Sequence, residues 1–175
     1  FKQICSTSHA FAALKNDNTI SVWGYKTYGG DPNAATAPKG NNFTKIYSTF
    51  SAFAALDTDG AITAWGDSST GGIPNSGTPI NLCTKAPSDK GFTKIYSNYG
   101  AFAALKKDGS IPASGNNGFG GSTYLDNDYT NAPSDKGYTK IYSTKKAFAA
   151  LKKDGSMKAW GHNAYGGNST TAPQD

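Results

Sequence analysis

The sequence predicts an all-β fold of four tandem repeats. Three observations carry that prediction. One motif recurs four times along 175 residues, each copy holds a turn between two apolar runs, and the composition lacks residues that usually cover long helices.

The copies read STSHAFAALKNDNTISVWG from Ser6, STFSAFAALDTDGAITAWG from Ser48, SNYGAFAALKKDGSIPASG from Ser97 and STKKAFAALKKDGSMKAWG from Ser143. The Leu closing each AFAAL falls at Leu14, Leu56, Leu105 and Leu151, at spacings of 42, 49 and 46 residues, so length varies only in the connectors. A single repeat domain, 1–175, divides at about 1–42, 43–91, 92–137 and 138–175.

Within a repeat an aromatic strand comes first, FTKIYS (Phe43 to Ser48) or YTKIYS (Tyr138 to Ser143). AFAAL follows. Its period of two sends Phe53 and Ala55 to one face and Ala52, Ala54 and Leu56 to the other, which predicts a strand covered on both sides. The turn is Asp59-Gly60, Asp108-Gly109 or Asp154-Gly155, where Gly accepts positive φ, and the first copy has Asp17-Asn18 there. Ile62 to Gly66 resumes the alternation, and the Gly-Gly pairs at 29–30, 71–72, 120–121 and 166–167 break it. One repeat is therefore three or four strands.

A strand-rich unit of this length, apolar on both faces, has the size of a propeller blade packed against its siblings. Four of them predict a closed four-bladed ring, or part of a larger ring or array. An open arc of blades would leave two bare apolar faces of several hundred Å² each (order of magnitude), a size that invites partners.

All 17 basic residues are Lys and all 12 acidic residues are Asp, and the 21 Gly and 8 Pro, with abundant Asn, Ser and Thr, supply turns at high frequency, which together rule out helix bundles and coiled coils. Leu, Ile, Val and Phe number only 25, but 22 aromatics bury roughly 150–250 Å² each when packed, and 23 Ala fill the spaces between them. A core of large rings and small alanines is expected. No apolar run approaches the ~20 residues of a membrane helix, and FKQIC is neither a signal nor a transit peptide.

The net charge of +5 raises nucleic acid as a partner. The lysines sit singly or in pairs beside turn residues, and Arg, which makes bidentate phosphate and guanine contacts, is missing. They read as solvated loop lysines, so nucleic acid is disfavoured. Cys5 and Cys83 lie off the repeat pattern and are a candidate disulfide, with free buried thiols as the alternative. Two cysteines without CxxC or a nearby His make no zinc motif. The sequons at Asn42 and Asn168 are candidate glycosylation sites and lean toward secretion.

The pattern of apolar strand, Leu, Asp-Gly turn, strand and Trp-Gly resembles the regulator of chromosome condensation repeat family. ALKKDGSMKAWGHNAYGG, Ala150 to Gly167, is the nearest stretch, and the likeness covers the whole chain in four units. It implies propeller blades, seven to a ring in characteristic members. Founding eukaryotic members bind chromatin and promote nucleotide exchange on a small GTPase. Their His-Thr pair and Gly-Gln-Leu-Gly tail are replaced here by Ala-Phe and Gly-Gly, so no exchange-factor residue carries over. The chain looks more like the divergent branch with AFAAL and YGG units, found in large microbial and algal proteins, which implies surface or scaffold duty.

Trp23, Trp65 and Trp160 recur at one repeat position and are expected in the core or between blades. Ser114 and the in-strand Pro112 replace that packing in the third copy, which should be the weakest or adapted to a partner. His9 and His162 occupy non-equivalent positions with no catalytic arrangement around them. Asp57-Thr58-Asp59 and Asp126-Asn127-Asp128 offer oxygens to calcium, but read as turn chemistry and solvation. The hydroxyls after each KIY strand, at Ser48-Thr49 and Ser143-Thr144, read as backbone partners in a bend. Tyr25, Tyr28, Phe119, Tyr124, Tyr129 and Tyr165, in glycine-rich loops, form the candidate binding surface.

The expectation is a non-enzymatic structural or adhesive module at a cell surface or in an extracellular assembly, with no cofactor or metal. Its partners are proteins, copies of itself or neighbouring repeats among them, or glycans. A glycan- or protein-recognition propeller using the loop aromatics is the alternative, and an intracellular exchange factor or chromatin binder is a second one.

Overall fold

The computed structural model describes residues 1–72, 90–121, 129–168 and 170, with backbone alone at 129 and 130. Each repeat folds into its own antiparallel sheet, or blade. Blade 1 comprises β1 (Gln3–Ser6), β2 (Ala10–Leu14) and β3 (Ile20–Gly24), and blade 2 comprises β4 (Phe43–Ser48), β5 (Ala52–Asp57) and β6 (Ile62–Gly66). Blade 3 holds β7 (Phe92–Ser97), β8 (Ala101–Lys106) and β9 (Ala113–Gly115). Blade 4 holds β11 (Tyr138–Ser143), β12 (Ala147–Lys152) and β13 (Met157–His162), and β10 (Tyr129–Thr130) pairs with β13 as a fourth strand. After each third strand comes one turn of 3₁₀ helix, at Lys26–Tyr28, Ser68–Thr70, Asn117–Phe119 and Asn163–Tyr165, each closed by a left-handed Gly. Among the described residues no helix is long and apolar enough to cross a membrane.

The two-sided pattern of AFAAL becomes two different interfaces. Phe53 and Ala55 face blade 1, packed with Ala10, Ala12, Leu14 and Val22. Ala52, Ala54 and Leu56 face blade 3 and meet Phe92, Ile95 and Phe102. The same division recurs between blades 3 and 4, where Ala101, Ala103 and Leu105 receive Tyr138, Ile141, Phe148 and Trp160. Every internal interface thus sets the rings of one blade into the alanine face of the blade before it.

Phe43 and Ile46 are three residues apart and would point to opposite faces of a regular strand. A bulge between Phe43 and Lys45 brings both onto the face toward blade 1, and the same shift occurs in β7 and β11. The bulged threonines donate to the Leu carbonyl of the next strand, Thr44 to Leu56 at 2.9 Å, Thr93 to Leu105 at 3.1 Å and Thr139 to Leu151 at 3.1 Å.

Backbone and indole bonds join the blades. The Asp-Gly turn of one blade accepts from the first strand of the next: Phe92 N–H donates to Gly60 O at 3.0 Å and Tyr138 N–H to Gly109 O at 3.2 Å. Gly109 has φ +77°, and a Cβ there would lie 2.5 Å from Gly137 N, so the turn needs glycine for conformation and for clearance. In blade 1 the turn uses Asn18 at φ 65°, whose carbonyl accepts from Phe43 N–H. Exposed ion pairs Lys90–Asp59 and Lys136–Asp108 cross the same junctions and add little on their own.

Trp65 and Trp160 are buried between blades, whereas Trp23 is 44% exposed and stacks on Phe11 with ring centroids 5.4 Å apart. The expectation that all three lie in the core or between blades is corrected at Trp23: among the described residues no sheet covers that face of blade 1. In blade 3, Pro112 shortens β9 to three residues. Ala104 N–H still donates to Pro112 O at 3.0 Å, but proline has no N–H to return the bond.

Candidate binding surface

The turns between first and second strands lie side by side at one end of the arc. Ser8 N–H donates to Phe50 O at 2.9 Å, Phe50 N–H to Tyr99 O at 2.9 Å, and Tyr99 N–H to Lys145 O at 3.3 Å, which makes a backbone ladder with one rung per blade junction. Strands β1 and β4, β4 and β7, and β7 and β11 meet across the blades, so these turns sit at the inner rim.

A second set of bonds docks the 3₁₀ helices on the same turns. Thr49 Oγ1 donates to Thr70 O at 3.1 Å and accepts from Ala52 N–H, and Thr144 Oγ1 does the same with Tyr165 O and Ala147 N–H. In blade 3 the Asn98 amide takes the place of the hydroxyl and donates to Phe119 O at 2.7 Å. These hydroxyls are bend partners, and the docking brings Tyr28, Phe119 and Tyr165 of the 3₁₀ helices in blades 1, 3 and 4 to the ladder.

The result is a ridge of rings across all four blades. Tyr25 packs edge-on against Tyr28 at 5.6 Å, Tyr28 against Phe50 at 6.4 Å, Phe50 stacks on Tyr99 at 4.6 Å, and Tyr99 on Phe119 at 5.7 Å. Lys146 Nζ lies 5.3 Å from the Phe119 centroid and 5.0 Å from that of Tyr165, and Lys145 Nζ lies 5.3 Å from Tyr99. His9 packs on Tyr28 at 4.5 Å and His162 on Tyr165 at 5.1 Å. Such a ridge offers flat apolar faces ending in cations.

Of the residues singled out from sequence, the structure brings Tyr25, Tyr28, Phe119 and Tyr165 onto this ridge. Tyr25 and Tyr165 are exposed, while Tyr28 and Phe119 are half-buried with one side against the blade cores. Tyr124 lies outside the described residues, and Tyr129 is described by backbone alone. Phe50, Tyr99, His9 and the two lysines belong to the ridge and were not among the sequence candidates. Their positions recur at the repeat spacing but their residue types do not.

Cys5 is half-buried and its thiol donates to Ile46 O at 3.4 Å; burial pushes its pKa up, partly offset by the Gln3 amide. Its candidate partner Cys83 lies outside the described residues. The Asn42 amide donates to Asp57 Oδ2 at 3.2 Å, and Asn168 Oδ1 accepts from Thr170. Asp57 Oδ1 accepts from Asp59 N–H and Ala61 N–H, so that carboxylate closes its turn, while 126–128 lies outside the described residues. His9 Nδ1 bonds Ser8 Oγ, and His162 Nδ1 accepts from Ala164 N–H. Among the described residues no three His, Cys or Asp side chains converge.

Neither a protein-family model nor a curated protein matches the chain. Solved structures do. Yeast RCC1 (Prp20), crystallised bound to Kap60, superposes with a TM-score of 0.62 at 16% identity, covering 90% of this chain and 42% of that one. The fold is that of an RCC1-like β-propeller.

The CRINKLY WD40 ectodomain of the Arabidopsis thaliana receptor kinase ACR4 aligns over 98% of this chain and 51% of its own, with a TM-score of 0.57 and 15% identity. Human WBSCR16 aligns over 94% of this chain and 48% of its own, at 0.57 and 15%. The four blades thus span about half the length of these chains.

Proposed function

We propose that this chain is a non-enzymatic protein-binding module, a structural or adhesive unit of a cell-surface or extracellular assembly, and that it binds through the aromatic ridge. The observation that carries the reading is the continuity of the ridge: rings from all four blades, with two lysines from blade 4, are held in one line by a backbone ladder. Flat aromatic faces beside cations suit a protein segment that combines apolar side chains with carboxylates, and the +5 charge of the chain favours encounter with it.

The similar propellers support this in outline. One was crystallised with a protein partner, and another is the ectodomain of a receptor kinase. The AFAAL and YGG units support placement in the divergent branch of the repeat family.

The test is to probe an acidic-peptide array and a glycan array with the chain and with its Phe50→Ala/Tyr99→Ala variant. Retention of acidic peptides at low salt, weakened at least about tenfold in the variant, is the expected result. Retention of glycans alone, or binding indifferent to the two substitutions, would overturn it.

A further inference from the structure

Among the described residues, blade 1 and blade 4 each keep one face that no other blade covers. These two faces are the two halves of the interface that the chain already builds three times.

On blade 1, Phe1 is 74% exposed, Ile4 57%, Phe11 46% and Trp23 44%; at the equivalent positions of blade 2, Phe43, Ile46, Phe53 and Trp65 are 3% exposed or less. Trp65 and Trp160 donate from Nε1 to Gly29 O and Gly120 O of the preceding tail, each at 3.1 Å. Trp23 has no such carbonyl among the described residues.

On blade 4 the opposite surface is uncovered among the described residues. Tyr142 is exposed where Tyr47 and Tyr96 pack into the next interface, and Leu151 is half-buried where Leu14, Leu56 and Leu105 are buried. Cβ atoms placed on Gly29 and Gly120 would strike rings of the next blade, within 2.8 Å and 3.1 Å respectively, while Gly166 has nothing within 4 Å. The same holds at the turns, where a Cβ on Gly60 or Gly109 would strike the next blade and one on Gly155 would meet nothing within 4 Å. The backbone ladder also stops at Lys145 N–H on one side and Ser8 O on the other, among the described residues.

We infer that the chain binds a second copy of itself head to tail, with the Phe11–Trp23 face of one copy seated on the Tyr142–Gly166 face of the next. Trp23 Nε1 then donates to Gly166 O, and Phe1 and Ile4 pack against Tyr142 and Leu151. A second copy fits because it presents the surface that covers these positions inside the chain, three times over, with ring against alanine and indole against glycine carbonyl. The contact is heterologous, so one geometry either closes copies into a ring or runs on as a filament, according to the rotation per copy. It is separate from the ridge, and its failure would leave the ridge untouched.

The experiment is sedimentation equilibrium of the 175-residue chain across about three decades of micromolar concentration, with Trp23→Ser and Tyr142→Asp as single variants. The expected result is a particle of two or more copies for the chain, with association weakened at least about tenfold in each variant, and unchanged association for Phe50→Ala/Tyr99→Ala. Both substituted side chains are exposed in the single copy, and circular dichroism confirms that the variants fold; Phe11→Ser replaces Trp23→Ser if the latter does not. Mixing the two variants restores one good contact and gives a one-to-one pair. A monomer throughout the range, association that both variants retain, or a mixture that stays monomeric would overturn the inference.

Discussion

The indole Nε1 of Trp160 donates to the carbonyl of Gly120, 3.1 Å away in the tail of the preceding blade. One bond joins the third strand of one repeat to the glycine break of another, while the ring stacks on Phe148 at 5.3 Å. Trp160→Phe keeps most of the stacking and orphans a buried carbonyl, so a loss of about 1–3 kcal/mol is expected in urea denaturation. Trp160→Ala opens a cavity and should lose about 3–5 kcal/mol. Trp23→Phe, at the bare face, should stay within about 0.5 kcal/mol for the dissociated chain.

Gly109 and Gly155 occupy the same turn position with φ +77° and +91°, but only Gly109 presses on a following blade. At concentrations where the chain is monomeric, Gly155→Ala should cost about 1–2 kcal/mol, the left-handed penalty alone. Gly109→Ala must also push Gly137 and Tyr138 away, so its midpoint should fall further, measured by the same denaturation.

Blade 3 lacks an indole at Ser114, and Pro112 removes one ladder donor. Amide hydrogen exchange should open β8 and β9 before β5 and β6. Pro112→Thr, which reproduces Thr63 of blade 2, should slow that exchange and add about 0.5–1.5 kcal/mol.

Hydrogen bonds from Lys136, and then from the hydroxyl and N–H of Ser110, hold the Asp108 carboxyl well below the usual carboxylate range. A carboxyl depressed in the folded chain stabilises it fully above the unfolded value of about 3.9, and that contribution is lost as pH falls through the folded value. The melting temperature should therefore drop between about pH 5 and pH 2. Asp108→Asn should show a smaller drop over that window, read by thermal scans of both chains.

The repeat, the two-sided AFAAL strand and the Asp-Gly turn are legible in sequence because each is a local signal whose period or φ requirement shows in a few residues. The bulge that turns Phe43 and Ile46 to one side is not, since strict alternation places them apart. Exposure of Trp23 also escapes sequence, because recurrence treats every copy as internal while burial depends on which blade precedes it. Tyr25, Tyr28, Phe119 and Tyr165 of the ridge are visible in sequence as aromatics beside glycines. Phe50 and Tyr99 were hidden because the turn position holds Ser8 and Lys145 in the other copies, and the ladder that unites the four is made by main-chain atoms.

The blades cover one another in one direction, rings of each set into the alanines of the one before. Acrylamide quenching of chains that retain a single tryptophan, the other two changed to Phe, measures this at dilutions where the chain is monomeric. Trp65 and Trp160 should be blue-shifted and protected and Trp23 red-shifted and readily quenched, becoming protected as copies associate. Equal quenching of all three at every dilution would contradict it.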